Sequence, residues 1–218
     1  MSHAYLFDIG NVIITFDFSR ATGKLAPHSS VSAQEALPLV APLMVELELG
    51  RISPEEFIAI TSEKMGYRGE ASFFRDAFAD IFELNLPMVE FIEARKAEGC
   101  PLFLLSNTNG IHVPFFEATY PVFGHFDGRI YSHEVGLMKP DPQIYTVTRE
   151  TLSLVPEETI YIDDLPANCE AGREAGFLSV PYSHTAHGDF LAAVAAFAQD
   201  SGLVTSRRHF DQAMPPIS

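Results

Sequence analysis

The hydrophobic positions of the chain fall into two rhythms. Short unbroken apolar runs occupy residues 5–7, 102–105, 159–162 and 178–180, with a weaker one at 129–131. Runs without polar alternation predict parallel strands covered on both faces. Helical spacing appears between them. Residues 87–98 carry Met88, Phe91, Ile92 and Arg95 at that spacing and stop at Gly99, a helix-ending residue. Residues 142–154 and 168–175 read as helices too, the second stopping before Gly176. Strand and helix in alternation predict an α/β fold with a Rossmann-like parallel sheet.

Residues 20–86 break the alternation. Ser32 with Glu35, and Ser53 with Glu56, have the spacing of helix-starting capping boxes, and Pro54 sits at a first helical position. Residues 71–84 place Phe74, Phe78, Ile81 and Phe82 on one helical face. No good strand is visible in this stretch. The expected organisation is a core of residues 1–19 and 87–203, a helical insert over 20–86, and a polar C-terminal tail over 204–218.

Composition narrows the partners. A net charge of −15 over 218 residues disfavours nucleic acid and anionic membrane surfaces. No apolar stretch is long enough to span a bilayer, and the first residues do not read as a secretory signal. Cys100 and Cys169 lack metal-ligand spacing and suit small buried positions. A cytoplasmic protein is the expectation.

The polar residues that end the apolar runs carry the chemistry. Asp8 follows the first run. A buried carboxylate needs a cationic partner or a metal, though an aspartate also suits a turn. Ser106-Asn107-Thr108-Asn109 follows the second run and offers a hydroxyl and turning amides to a phosphate, or simply a polar turn. Lys139, in Gly-Leu-Met-Lys-Pro-Asp-Pro, is either a surface cation or a charge-neutralising one. Asp163 and Asp164 end the third long run, with Asn168 following. Adjacent acids repel, and a hard cation such as Mg²⁺ relieves the repulsion. In open parallel sheets the carboxyl ends of strands share one crevice, so the four segments can meet. Together they suit phosphoryl transfer, which rests on positioning and charge neutralisation.

This ordered set resembles the haloacid dehalogenase superfamily in its phosphatase branch. The motifs are Phe-Asp-Ile-Gly-Asn-Val from Phe7, Leu-Leu-Ser-Asn-Thr-Asn-Gly from Leu104, Gly-Leu-Met-Lys-Pro-Asp-Pro-Gln-Ile-Tyr from Gly136 and Tyr-Ile-Asp-Asp-Leu-Pro-Ala-Asn from Tyr161. The first motif is similar to that of bacterial phosphatases with Asp-x-Gly-Asn-Val, including those acting on glucose 1-phosphate. The amino-terminal phosphatase domain of soluble epoxide hydrolases looks related. The resemblance implies that residues 20–86 are a cap domain. It implies Asp8 as the nucleophile forming an aspartyl-phosphate, Ser106 and Asn107 as phosphoryl-oxygen holders, and Lys139 as the balancing charge. It further implies Mg²⁺ on Asp8, Asp164, the Gly10 carbonyl and the neighbouring Asp163, with Asn168 ordering the surroundings. The substrate expected is a small phosphorylated metabolite, sugar phosphates among them.

Position 10 departs from that pattern. Most such phosphatases have a second aspartate there as general acid and base, and this chain has glycine. Two alternatives follow. One is a metal-free 2-haloacid dehalogenase, against which the Asp163–Asp164 pair argues. The other is a non-catalytic binding protein, against which the retained nucleophile argues. If nothing replaces the acid, turnover should rise steeply with leaving-group acidity. A water held by Asn11 or by the cap, or less directly Asp17, is a candidate replacement.

Overall fold

The computed structural model describes residues 3–197. The expected tail over 204–218, and residues 198–203 of the expected core, lie outside the described residues. In chain order the elements are β1 (Ala4–Phe7), β2 (Ile14–Phe16), α1 (Phe18–Leu25), α2 (Ala33–Glu48), α3 (Pro54–Met65), α4 (Ala71–Ala79), β3 (Phe82–Leu84), α5 (Leu86–Ala97), β4 (Leu102–Ser106), α6 (His112–Thr119), β5 (Gly128–Tyr131), α7 (Ser132–Val135), α8 (Pro142–Thr151), β6 (Thr159–Asp163), α9 (Pro166–Glu174) and β7 (Leu178–Pro181). Residues 187–197 are helical.

Five strands form one parallel sheet in the order β5-β4-β1-β6-β7. Their apolar runs account for this, since Leu6, Phe7, Leu102, Leu105, Ile160, Tyr161 and Ile162 are fully buried from both faces. The chain starts at the centre, winds outward through β4 and β5, then crosses to β6 and β7. The direction of winding reverses between β1 and β6. A crevice opens at the carboxyl end of the sheet at such a reversal. Asp8 and the Asp163–Asp164 pair stand on its two sides.

The helical segment has a core of its own. Leu25, Leu47, Phe57, Phe74 and Phe78 cluster there, and Phe18 and Phe115 touch both this cluster and the one beneath the sheet. Both capping boxes form, Ser32 with Glu35 and Ser53 with Glu56. Gly66 closes α3 at φ 59°, a left-handed turn that suits glycine.

The structure corrects one element reading. The helical face expected over 71–84 ends at Ala79, and Phe82–Leu84 pairs antiparallel with Ile14–Phe16 in a two-stranded ribbon apart from the main sheet. The cause is long-range: Ile81 and Phe82 continue the helical face of Phe74 and Phe78 locally, and only pairing with residues 14–16 makes 82–84 a strand. The ribbon ties the two ends of the helical segment together beside the crevice.

Candidate active site

Lys139 is the hub of the site. It is 4% exposed, and its ammonium spends all three protons within the protein. Nζ donates to the Leu105 carbonyl at 3.0 Å and to Asp163 Oδ2 at 2.6 Å, and lies 2.9 Å from Asp8 Oδ1. The Lys139 backbone is clamped as well. Asn107 Nδ2 donates to its carbonyl at 3.0 Å, and its N–H donates to Asn107 Oδ1 at 2.9 Å. The Asn107 side chain is therefore oriented by the lysine backbone, with one Nδ2 proton and its own backbone N–H left for a ligand.

Asp163 is fully buried and saturated. Its Oδ1 accepts from the Leu165 N–H and from Asn168 Nδ2. Its Oδ2 accepts from Lys139, from the Tyr161 hydroxyl at 2.6 Å and from Asn168 at 3.1 Å. Asp164 is freer. It is half-buried and accepts one bond, from Asn11 Nδ2 at 3.0 Å. Asn11 reaches it from a left-handed backbone at φ 54° in the turn after Gly10. The Gly10 carbonyl accepts no backbone hydrogen bond among the described residues. Ser106 closes β4 and is 2% exposed, and its hydroxyl makes no hydrogen bond among them.

Three carboxylates thus meet one ammonium. One oxygen from each of Asp8, Asp163 and Asp164 lies within 4.8 Å of the others. With all groups ionised, two negative charges are in excess. Burial raises Asp8 above the ordinary carboxylate range, Lys139 pulls it down, and Asp163 pushes it up again, with a net upward shift. Burial works against the Lys139 ammonium, but Asp8 and Asp163 outweigh it and hold the proton on. Asp164 is raised, chiefly by burial. A divalent cation would cancel the excess. Asp8, Asp164 and the Gly10 carbonyl have free acceptor capacity for it, whereas Asp163 has little left.

A profile of haloacid dehalogenase-like hydrolases matches residues 3–176. The chain belongs to the haloacid dehalogenase-like hydrolase family. Among its relatives is a D-ribitol-5-phosphate phosphatase of Bacteroides thetaiotaomicron, 26% identical over 181 residues, covering 79% of this chain and 87% of the relative. The bifunctional epoxide hydrolase 2 of Mus musculus is 29% identical over 107 residues, which is 47% of this chain but 19% of that protein. A haloacid dehalogenase-family enzyme of Bacteroides thetaiotaomicron, solved with magnesium and inorganic phosphate, superimposes with a TM-score of 0.74 at 25% identity, over 84% of this chain and 96% of that one.

In this hydrolase the crevice continues into a cavity of about 200 Å³ between sheet and helical segment. Gly10, Ser106, Asn107 and Thr108 form its floor, and rings of Phe16, Phe18, Phe82 and Phe116 form much of its wall. A side chain at position 10 would bring its Cβ to 3.1 Å from the Phe16 ring, so the space left by the missing aspartate is partly taken. Asp17 is not in the cavity wall. It caps α1, accepting from the Ser19 N–H at 2.8 Å and the Ser19 hydroxyl at 2.7 Å.

Two ionisable side chains line the cavity, His112 and Glu48. His112 is buried between Asn109 and the Phe78 carbonyl, stacks on the Phe78 ring, and is pushed down to about 4 by burial, so it stays neutral. Glu48, the last residue of α2, is half-buried and makes no hydrogen bond or ion pair among the described residues. Burial first, and the Asp8 charge second, push it up to about 7. Sequence reasoning passed over Glu48. One signal was present: acids in the last turn of a helix oppose the helix dipole, and α2 ends on Glu46 and Glu48 with no basic residue. Arg51 compensates Glu46 at 3.1 Å.

Proposed function

We propose that the chain is a Mg²⁺-dependent phosphatase that hydrolyses a small phosphomonoester through an aspartyl-phosphate on Asp8. The observation that carries this reading is the Lys139 ammonium shared between Asp8 and Asp163 with two uncompensated negative charges beside it. A site that repels anions becomes a phosphate site once a dication is present. Asp8, Asp164 and the Gly10 carbonyl would hold Mg²⁺, which would supply positive charge to the phosphoryl oxygens. Asp163 then serves mainly to fix Lys139, with Asn168 holding Asp163 in turn.

The chain's own residues do the rest. The Ser106 hydroxyl and the backbone after it donate to phosphoryl oxygens. Lys139 balances charge on Asp8 and the phosphoryl group. The Asp8 carboxylate attacks phosphorus, the bond to the leaving oxygen breaks, and water later attacks the acyl phosphate to free phosphate and regenerate Asp8. Residues 20–86 act as a cap over a core of residues 1–19 and 87–203, and close water out of the site.

The cavity favours small substrates, since pockets for drug-sized ligands begin at about 300 Å³. A sugar or polyol phosphate fits, with aromatic walls against its carbon face, and the named activity of the Bacteroides relative supports this class. Among the described residues no helix is long and apolar enough to cross a membrane. A cytoplasmic site of action belongs to the same proposal. The test is phosphate release from a panel of sugar, polyol and aryl phosphates with Mg²⁺ and then with chelator. Release that needs the cation supports the reading. Chelator-resistant halide release from a 2-haloacid would favour dehalogenation instead.

A further inference from the structure

Phosphomonoester cleavage leaves an oxygen that needs a proton, and position 10 cannot supply one. The nearby alternatives are committed elsewhere. Asn11 is bonded to Asp164, Asp17 caps α1, and His112 is locked between Asn109 and Phe78. Glu48 is the remaining carboxyl group on the cavity wall, and no partner within the described protein competes for it. Its placement is fixed by the fold. Two residues on, Gly50 adopts φ 65°, and a Cβ there would collide with the His133 carbonyl oxygen on α7. The end of α2 therefore presses on the core at a point where only glycine fits, and this contact holds Glu48 over the sheet edge.

We propose that the Glu48 carboxyl group is the general acid and base of this enzyme, supplied from the helical segment in place of the aspartate missing at position 10. The proposal rests on the phosphatase reading above. In the first half-reaction the Asp8 oxygen bonds to phosphorus and the phosphorus–leaving-group bond breaks. The Glu48 proton passes to the departing oxygen, leaving a Glu48 carboxylate. In the second, water bonds to phosphorus while its proton returns to Glu48, and the phosphorus–Asp8 bond breaks. Phosphate departs, and both carboxyl groups regain their starting states. Burial, with the Asp8 charge adding to it, raises the Glu48 carboxyl to about 7, where one group can serve as acid and then as base.

The experiment is kcat/KM with Mg²⁺ for a leaving-group series, from 2,4-dinitrophenyl through phenyl to alkyl phosphates, in the wild type and in Glu48→Gln. This parameter reports on the steps through leaving-group departure. The wild type should depend only weakly on leaving-group acidity, against the steep dependence that Gly10 alone implies. Glu48→Gln should lose about 10²–10⁴-fold on alkyl phosphates and little on the dinitrophenyl ester. Glu48→Asp, which keeps the carboxyl group, should recover part of the alkyl activity, and a variant damaged only in folding would lose all substrates alike. Equal slopes in wild type and Glu48→Gln overturn the assignment while leaving the phosphatase reading intact. A wild type that releases no phosphate from any of the esters overturns both.

Discussion

The carboxyl edge of the sheet and the helical segment above it handle polar groups in opposite ways. At the sheet edge the groups around Lys139 are held in a network: Lys139 has three acceptors, four groups donate to Asp163, and the Asn107 side chain brackets the Lys139 backbone. In the wall above, Glu48 makes no hydrogen bond or ion pair among the described residues. The first arrangement makes fixed charge, set before a substrate arrives. The second leaves a group free to change protonation during a reaction. The contrast teaches that electrostatics and proton transfer are divided between two regions, so variants of each should fail differently.

The largest effect should come from Asp8. Asp8→Asn should abolish turnover, because an amide does not attack phosphorus. It also removes one of two excess charges, so melting without Mg²⁺ should occur at an equal or higher temperature. A large fall in melting temperature would show that Asp8 supports the fold and is not simply poised for chemistry.

Lys139→Met should be nearly as harmful to activity but unlike Asp8→Asn in stability. It strands Asp163 and Asp8 in a buried site, and breaking such a pair costs about 3–5 kcal/mol. Urea unfolding of the two variants side by side measures the difference.

The adjacent acids should separate the two roles within the sheet edge. Asp163→Ala should cost stability, since Tyr161 and the Asn168 amide lose their acceptor and Lys139 loses one of its three. Asp164→Ala should leave unfolding nearly unchanged and weaken Mg²⁺ binding more, as read by calorimetric titration. The reverse pattern would move the metal to Asp163.

The smallest effect concerns the cavity wall's other ionisable group, His112 at the start of α6. Burial lowers His112 from an ordinary 6.5 to about 4. A histidine depressed on folding contributes fully above its unfolded value, and that contribution is lost as pH falls from 6.5 toward 4. Wild type should therefore lose up to about 3 kcal/mol more than His112→Gln across that window. Parallel stability curves would show that His112 can accept a proton in place.

Much of the core was legible in the sequence because parallel strands announce themselves. Leu102–Ser106 and Thr159–Asp163 are apolar runs ending on polar residues, and that pattern alone locates Ser106, Asp163 and Asp164 at one sheet edge. The β2–β3 ribbon was not legible, because its pairing joins residues 14–16 to 82–84 across the whole helical segment. Nor was the Asn107 clamp on Lys139, which depends on how two loops meet. Glu48 lay hidden for a third reason. An acid in an amphipathic helix looks like solvated surface, and only packing of the α2 end against α7 turns it toward the cavity.

The central claim is that Asp8 is phosphorylated during turnover. Its most direct test is mass spectrometry of enzyme acid-quenched during steady-state turnover of 4-nitrophenyl phosphate with Mg²⁺. The account predicts one added phosphoryl group on the peptide that contains Asp8, absent in Asp8→Asn and absent when chelator replaces Mg²⁺. Steady turnover with the phosphoryl group on another residue would contradict it.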